Sequence, residues 1–225
     1  TIPESVTEIG YGTFSDCSSL QSITIPGSVT KIGGGAFDGC SSLQSITIPG
    51  SVTKIGRRAF ECCSSLQSIT IPESVTEIGE RIFVGCNSLQ NIVVAKGNPK
   101  YDSREGCKAI IETATSTLIA SCLSTIIPEG VTAIGEFTFS GCSSLQSIVI
   151  PKGVKIIEDY AFSGCTALTT ITLPIGVNKI SLYGCEALTT IYVPAKKTDY
   201  YKQRLPEPLH SLIVELQPEK KAKKK

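Results

Sequence analysis

The stretch that decides the fold is Cys40-Ser41-Ser42-Leu43-Gln44-Ser45-Ile46-Thr47-Ile48-Pro49-Gly50-Ser51-Val52-Thr53-Lys54-Ile55-Gly56-Arg57-Arg58-Ala59-Phe60. It is one copy of a unit that recurs along most of the chain. The proline of the unit returns in the same place, at Pro3, Pro26, Pro49 and Pro72 and then at Pro128, Pro151, Pro174 and Pro194. The first four of these prolines are 23 residues apart. The chain is therefore built from one small unit used many times.

A fixed period of about 20–29 residues that contains Leu-x-x-Ile-x-Ile is typical of a leucine-rich-repeat solenoid. Each coil of such an array buries its apolar side only against its neighbours. We therefore expect short parallel strands stacked into a curved right-handed array. Short helical turns are expected on the convex side, and a cap is expected at the C-terminus.

Alternation at period two predicts a short strand in each unit, with Ile46 and Ile48 inward and Ser45 and Thr47 outward. A second short extended piece follows the proline. Gly33 is predicted to be a turn position that uses positive φ, and residues 36–40 are predicted to form a tight helical turn. The interior of one coil is expected to hold Val29, Ile32, Phe37, Cys40, Leu43, Ile46 and Ile48.

The ten cysteines do not have the spacing of a disulfide framework. Seven of them occupy one slot of the repeat: Cys17, Cys40, Cys63, Cys86, Cys142, Cys165 and Cys185. Free cysteine behaves as a small hydrophobe, so we predict a buried column of free thiols. Cys107 and Cys122 flank one irregular segment, and they form the one pair for which we consider a disulfide.

An insert interrupts the repeats at about residues 96–127. Asn98-Pro99 is a turn signal. Two short apolar runs at 109–111 and 117–119 surround a polar tip and predict a hairpin that projects from the array. Thr125 replaces an inward isoleucine, so this coil is expected to be irregular.

The last unit, which has lost three residues, ends at Pro194, which places the repeats at residues 1–194 and a C-terminal cap at residues 195–216. Thr198 is predicted to cap a short helix that ends before Pro206, and residues 212–214 are predicted to form a last strand. Residues 217–225 form a Lys-rich tail that we predict to be disordered. Because the chain begins at Thr1 inside a repeat, we expect it to be part of a longer sequence.

The unit Ala36-Phe37-Asp38-Gly39-Cys40-Ser41-Ser42-Leu43-Gln44-Ser45-Ile46-Thr47-Ile48-Pro49, followed by Ser51-Val52-Thr53-Lys54-Ile55-Gly56, resembles the BspA-like leucine-rich repeats. The resemblance covers about residues 1–194. It implies a binding scaffold that is displayed on the cell surface or secreted by host-associated bacteria. It also implies a protein ligand: a host matrix or plasma protein, or another bacterial surface protein. It supplies no residue set for a ligand site.

Catalytic, cofactor and metal motifs do not stand out in the sequence. A nucleophile needs a base within about 3 Å, and His210 is the single histidine. We therefore predict a non-catalytic protein without a cofactor or a metal. The formal net charge of +1 indicates neither a nucleic-acid partner nor an anionic membrane. No apolar run is long enough to span a bilayer.

Partner binding is expected on the outward side of the main strands. Small hydroxyl-bearing residues there give way to larger apolar residues toward the C-terminus, and binding hot spots favour large side chains. The candidate partner-binding residues are Val93, Val149, Thr170, Thr172, Thr190 and Tyr192. Glycan binding is disfavoured because exposed aromatic residues are rare on this side.

Outward charges at Glu8, Lys31, Lys54 and Glu77 are predicted to help set the register of adjacent coils. For the arginines at 57, 58 and 81, a solvated edge is favoured over contact with a polyanion. Two classes of function stay open. The leading one is a protein-interaction module, an adhesin or surface recognition protein; the alternative is an intracellular scaffold or structural repeat protein without a host ligand.

Overall fold

Two sets of short parallel strands form the first part of the array. The computed structural model of the chain describes residues 2–217. Before the insert the strands are β1 (Glu8–Ile9), β2 (Ser22–Thr24), β3 (Lys31–Ile32), β4 (Ser45–Thr47), β5 (Lys54–Ile55), β6 (Ser68–Ile71), β7 (Glu77–Ile78) and β8 (Asn91–Val94). The odd-numbered strands stack into one parallel sheet and the even-numbered strands into another. The predicted solenoid of stacked parallel strands is confirmed.

The segment that closes each coil is a series of turns, and the helical turn predicted for residues 36–40 is wrong. Gly35 and Gly39 have φ values of 58° and 73°, which interrupt a helical path. Alternate N–H groups bond within the coil, while the N–H of Phe37 donates to the carbonyl of Ala59 in the next coil at 2.8 Å. The turns therefore extend the pairing between coils beyond the strands.

Gly33 is needed for a different reason from the one that we predicted. It does not adopt positive φ. A Cβ atom at Gly33 would lie 2.6 Å from the carbonyl carbon of Gly10, and one at Gly56 would lie 2.4 Å from the nitrogen of Gly34. Glycine occupies this slot because the backbone of the preceding coil passes too close for any side chain.

A column of stacked phenylalanine rings runs through the core of the first coils. Neighbouring ring centroids of Phe14, Phe37, Phe60 and Phe83 are 5.3, 5.5 and 6.0 Å apart. Stacked aromatic pairs add stabilisation beyond the apolar area that they bury. The predicted interior positions of the coil are all buried: Val29, Ile32, Phe37, Cys40, Leu43, Ile46 and Ile48.

The cysteine column lies beside the phenylalanine column, and its thiols are free. The Sγ of Cys63 donates to the carbonyl of Phe37 at 3.1 Å, and the same bond recurs along the column. The prediction is confirmed, with the corrections that Cys17 is exposed and Cys142 is only partly buried.

The disulfide considered for Cys107 and Cys122 does not form. Both residues are free and buried. The Sγ of Cys122 instead donates to the carbonyl of Lys108 at 3.2 Å. These off-column thiols therefore also act as small buried side chains with weak donors.

The insert is built into the array, so the expectation of a projecting hairpin is wrong. Its elements are β9 (Tyr101–Asp102), a 3₁₀ turn at Arg104–Gly106, β10 (Ile110–Glu112) and β11 (Thr117–Ala120). The antiparallel pairing of β10 with β11 confirms the hairpin itself. Ile110 and Ala120 pack in the core of the preceding coils, whereas Ile111 and Leu118 pack in the core of the following coils. The hairpin is thus a wall between two hydrophobic cores.

Side chains of the insert replace partners that a regular coil would supply with its backbone. The hydroxyl of Tyr101 accepts a hydrogen bond from the N–H of Ile78 at 3.2 Å. The Nδ2 of Asn98 donates to the carbonyls of Pro72 and Val75 at 2.9 and 2.8 Å. Because unpaired backbone groups are costly inside a protein, these bonds stabilise the last regular coil before the insert.

The coil that contains Thr125 is irregular, as predicted. The Oγ1 of Thr125 accepts from the N–H of Cys122 at 2.8 Å and donates to the carbonyl of Lys108 at 3.0 Å. A threonine with these local partners stands where regular coils bury isoleucine. The neighbouring Ile126 is exposed.

Regular coils return after the insert. Their strands are β12 (Ala133–Ile134), β13 (Ser147–Val149), β14 (Ile156–Ile157), β15 (Thr170–Thr172), β16 (Thr190–Val193) and β17 (Ile213–Glu215). β13, β15, β16 and β17 form one parallel sheet, while β12 and β14 continue the sheet of the hairpin. Phe139 and Phe162 start a new stacked pair, with centroids 5.1 Å apart.

A short helix and the last strand end the described chain. Helix α1 (Thr198–Lys202) is shorter than predicted, and a 3₁₀ helix at Glu207–Leu212 leads into β17. The N-cap of α1 is Lys197, so the capping role predicted for Thr198 is wrong. The hydroxyl of Thr198 donates to Glu215 in β17 at 2.7 Å instead. The predicted disordered tail lies outside the described residues, apart from Gln217.

Ion pairs join adjacent coils where the outward charges predict them. Lys31 pairs with Glu8, and Lys54 with Glu77, each at 2.6 Å. The paired residues are register partners on neighbouring strands. Exposed ion pairs stabilise a fold only weakly, so these two help set the register more than they hold the fold.

Two of the three arginines considered for a polyanion contact, Arg58 and Arg81, bind carboxylates of this chain. Glu61 is 4% exposed and accepts hydrogen bonds from Arg58 and Arg81, each at 2.6 Å. Arg58 also pairs with Asp38 at 3.1 Å. These internal partners disfavour the polyanion contact that the sequence left open.

Candidate partner-binding site

The outward side chains of β13, β15, β16 and β17 line up across four strands. The register pairs Val149 with Thr172, Thr172 with Tyr192, and Tyr192 with Val214. Adjacent strands lie about 4.8 Å apart, so the side chains form one strip. Val149 is 68% exposed and Val214 is 45% exposed. We call these four residues the C-terminal face.

The structure brings together five of the six predicted site residues. Thr170 and Thr190 form a second row beside the C-terminal face, in register with Ser147. Val93 is also exposed, but it lies in the other main sheet, where its partner is Thr70. The insert separates the two sheets, so Val93 is not part of the same strip.

A groove of about 630 Å³ runs beside the C-terminal face. The prolines that end three successive strands, Pro151, Pro174 and Pro194, line it together with Ile175 and Leu216. Proline has no N–H group, so this line offers few backbone donors and remains apolar. The volume lies within the range of about 300–1,000 Å³ that is usual for ligand pockets.

Charged side chains stand among the apolar residues of the groove. Lys152, Lys155 and Glu129 contribute to its lining. Two ammonium groups against one carboxylate leave a net charge of +1. The Nζ of Lys155 donates to the carbonyls of Lys152 and Ile175 at 3.4 and 3.5 Å, which holds this ammonium at the groove. An extended peptide with apolar side chains and a carboxylate would complement this surface.

Sequence reasoning missed four exposed apolar residues. Val214 extends the C-terminal face by one strand, and Ile175 and Leu216 line the groove. Ile126 is 74% exposed and occupies the slot that Val149 fills one repeat later. The repeat spacing was signal enough to find Ile126. The other three lie outside the strand positions of the unit, so their register could not be predicted from the repeat spacing.

Groups that often carry catalysis have structural partners here. The Nε2 of His210 lies 2.9 Å from the carbonyl oxygen of Leu205. Burial raises the pKa of Cys185 to about 11, which keeps this thiol protonated near neutral pH and a weak nucleophile. Within residues 2–217, no group of three or more His, Cys, Asp and Glu side chains is arranged to hold a metal ion. Over the same range, no helix has the length and apolar character needed to cross a membrane.

Stacked parallel strands, columns of stacked aromatic rings in the core and the unit Leu-x-x-Ile-x-Ile define a leucine-rich-repeat solenoid. The chain belongs to the BspA-type leucine-rich-repeat family. The model of the BspA type leucine rich repeat region matches residues 1–104 and 116–205, with six copies. The unmatched residues 105–115 fall in the insert and include β10. The resemblance seen in the sequence is therefore confirmed.

Solved bacterial structures share this fold. A leucine rich cell surface protein from Faecalibacterium prausnitzii A2-165 is 28% identical, with a TM-score of 0.65 over 96% of this chain and 65% of that one. A leucine-rich repeat protein from Bacteroides ovatus ATCC 8483 is 30% identical, with a TM-score of 0.55 over 96% and 60%. One from Eubacterium ventriosum ATCC 27560 is 25% identical, with a TM-score of 0.58 over 84% and 64%.

This chain thus spans less than two thirds of the length of each of these three proteins. The comparison with curated proteins found no significant match. The repeat fold of this family is typically a non-enzymatic scaffold for interactions. The family and its solved members therefore indicate a protein-interaction scaffold.

Proposed function

We propose that this chain is a non-catalytic protein-interaction module whose C-terminal face and groove bind an extended segment of a partner protein. The observation that carries the proposal is the apolar strip from Val149 to Val214 beside a groove of about 630 Å³. Apolar strips with a central aromatic residue are common in protein interfaces, and Tyr192 occupies the middle of this one. The lysines of the groove favour a partner segment that carries a carboxylate.

The module is displayed at the cell surface or secreted, and it acts as an adhesin or recognition protein. Its partner is a host matrix or plasma protein, or another bacterial surface protein. Two findings support this part of the proposal: the membership of the BspA-type family, and the likeness to a leucine rich cell surface protein of Faecalibacterium prausnitzii. Protease treatment of intact source cells tests it, because exposed repeats release their peptides before the cells lyse. Protection until lysis would favour an intracellular scaffold.

A binding screen tests the site. The purified chain is immobilised, and host matrix proteins, plasma proteins and bacterial surface extracts are passed over it. For a captured partner, the double variant Val149→Ser, Tyr192→Ser is expected to weaken the affinity by about tenfold or more, because hot-spot truncations cost about 1.4 kcal/mol or more.

The matched control is Val93→Ser, an exposed valine on an equivalent strand of the other sheet. It is expected to leave the affinity unchanged. A double variant that keeps full affinity for the partner would place the binding surface elsewhere. Circular dichroism of each variant checks that the fold is intact.

A further inference from the structure

One turn position has a left-handed backbone conformation in six coils of the array. Its φ lies between 56° and 62° at Gly12, Gly35, Arg58, Arg81, Phe137 and Tyr160. We call these six residues the left-handed column. A side chain at such a φ crowds its own carbonyl group, so glycine is the residue that suits the position. The first two coils use glycine, and the later coils use arginine or an aromatic residue.

The left-handed column has room for side chains. A second turn position with positive φ, which holds Asp16 and Cys62 in two coils, is tighter in a later coil, where a Cβ atom at Gly141 would lie 2.8 Å from the backbone nitrogen of Gly85. A Cβ atom at Gly35, in the left-handed column, would meet its nearest atom at 3.8 Å. Side chains are therefore sterically allowed in the column, but the backbone strain remains. Strain retained at an open surface position points to a function of the side chain.

The aromatic members of the column form a ladder on the surface. The ring centroids of Phe137 and Tyr160 are 5.3 Å apart with nearly parallel planes, and Tyr183 meets Tyr160 edge-on at 5.7 Å. Tyr160 is 46% exposed and Tyr183 is 70% exposed. We call these three rings the aromatic ladder. It lies on the turns and shares no residue with the C-terminal face or its groove.

The ladder already holds a guanidinium at one end. The Cζ of Arg81 lies 4.9 Å from the ring centroid of Phe137, within the range of a cation–π contact. At the other end, a cleft of about 250 Å³ opens between Tyr160 and Tyr183, with Asp159 and Ser181 in its lining. The cleft thus places two partly exposed tyrosine rings beside a carboxylate.

The charge around the cleft is negative. Glu158 and Asp159 share one cation, the ammonium of Lys179, whose Nζ lies 3.3 Å from Asp159. Two carboxylates and one ammonium leave a net charge of −1. The planar guanidinium group stacks on aromatic rings and bonds carboxylates through paired N–H groups. The cleft combines both partners in one place.

We propose that the cleft between Tyr160 and Tyr183 binds an arginine side chain of a partner protein, with Asp159 as its carboxylate partner. Arg81 on Phe137 is the internal counterpart of this contact. This site is separate from the one under the proposed function, so either can fail without the other.

The direct test uses a capped Gly-Gly-Arg-Gly-Gly peptide, with a second peptide in which the neutral isostere citrulline replaces arginine. The protein carries isotope-labelled tyrosine rings, and NMR follows its seven tyrosines. The arginine peptide is expected to shift the ring signals of Tyr160 and Tyr183 saturably. The citrulline peptide and the variant Asp159→Asn are expected to bind about tenfold more weakly or worse. Equal binding of both peptides, or shifts confined to other tyrosines, would overturn the proposal.

A second test separates function from packing. Tyr160→Gly is expected to relieve the backbone strain, so the melting temperature stays equal or rises, while the peptide-induced shift at Tyr183 disappears. Tyr11→Ser is the control, because Tyr11 is 89% exposed and lies outside the ladder; it is expected to keep peptide binding. A clear fall in the melting temperature of Tyr160→Gly would show that the ring serves packing and would contradict the strain argument.

Discussion

The coils before the insert and those after it use the same interior but present different surfaces. Phe37 and Phe162 occupy the same buried slot, and so do Cys63 and Cys165. We call residues 2–95 the N-terminal array and residues 128–217 the C-terminal array. The outward strand positions of the N-terminal array are mostly serine and threonine, whereas the C-terminal array carries the C-terminal face and the aromatic ladder.

The shared interior and the different surfaces show that stacking constrains the inward residues and leaves the outward residues free to vary. An inward residue contacts equivalent residues on both neighbouring coils, so a change in its volume disturbs the packing on two sides. An outward residue meets solvent and only its register partners. Outward positions that depart from the repeat are therefore the best candidates for functional residues. These departures concentrate in the C-terminal array.

The largest change in the free energy of unfolding is expected at alkaline pH, and it should affect both arrays. Burial raises the pKa of Cys40, Cys142 and Cys185 from 9.0 to about 11. Because the folded pKa exceeds the unfolded value, the stabilisation is complete below pH 9 and is lost as the pH rises through about 11. Each such thiol lowers the free energy of unfolding by about 1.4 kcal/mol per pH unit in this window. Urea unfolding at pH 8, 9 and 10 measures the slope.

Substituting one buried cysteine in each array tests whether the thiols of both arrays contribute to the loss of stability at alkaline pH. Burial also raises the pKa of Cys63 in the N-terminal array and of Cys165 in the C-terminal array. Cys63→Ala and Cys165→Ala are therefore each expected to reduce the slope of stability against pH by a similar amount. A slope that neither substitution changes would show that the thiol column does not carry the effect.

The next largest effect should separate the two cores. Phe162→Ala removes a fully buried ring from the C-terminal array, and the expected loss is about 3–5 kcal/mol. Because the hairpin divides the core, hydrogen exchange should accelerate in the C-terminal array more than in the N-terminal array. Phe37→Ala should give the reverse pattern. Equal acceleration in both arrays, for either variant, would mean that the wall does not divide the folding unit.

A smaller effect is expected at the junction of the N-terminal array with the insert. Tyr101→Phe removes the hydroxyl that accepts the hydrogen bond of Ile78 N–H. An unpaired buried donor costs about 1–3 kcal/mol; because this N–H group is only part-buried, the expected loss is about 1 kcal/mol, and the exchange of the Ile78 amide should accelerate most. Tyr11→Phe, at an exposed tyrosine, is the matched control and should leave the stability unchanged. An equal stability of Tyr101→Phe and wild type would contradict the bridging role.

The smallest effect is expected from the surface ion pairs. Glu77→Gln removes the partner of Lys54, and only a small loss of stability is expected at low salt, because exposed ion pairs stabilise weakly. The hydrogen bond from Lys54 holds the pKa of Glu77 below its usual value, so the contribution is present above the usual value and is lost as the pH falls from there through the lowered pKa. Thermal melting in low and high salt measures the difference. A loss that high salt does not reduce would argue against an electrostatic origin.

The regular part of the fold was predictable because the same residue types recur at the same spacing in many copies of the unit. The spacing of proline, leucine and isoleucine predicted the parallel strands, and the recurrence of Cys63 and Cys165 in one slot predicted free thiols. The turns were less predictable. Gly33 and Gly35 look alike in the sequence, yet one avoids a clash with the adjacent coil and the other adopts positive φ.

The insert and the candidate sites depended on contacts that a repeat pattern does not encode. Ile110 and Ile111 are both buried because the hairpin faces two cores, and a continuous apolar run is the signal of a strand buried on both sides. For binding, the outward strand residues led to the C-terminal face. The aromatic ladder was missed because Tyr183 reaches Tyr160 from a different slot of a shortened repeat.

The division of the core has a mechanical consequence for a chain that is pulled from its ends. β9 and β10 pair through only two residue pairs, Ile111 with Asp102 and Glu112 with Tyr101. A stretching force would open this junction before it peels apart coils that share a continuous aromatic stack. Extension would then begin at the insert, while both arrays are still folded. A partner held by the C-terminal face would remain bound through this first stage, so the insert would act as an extensible link between the two arrays.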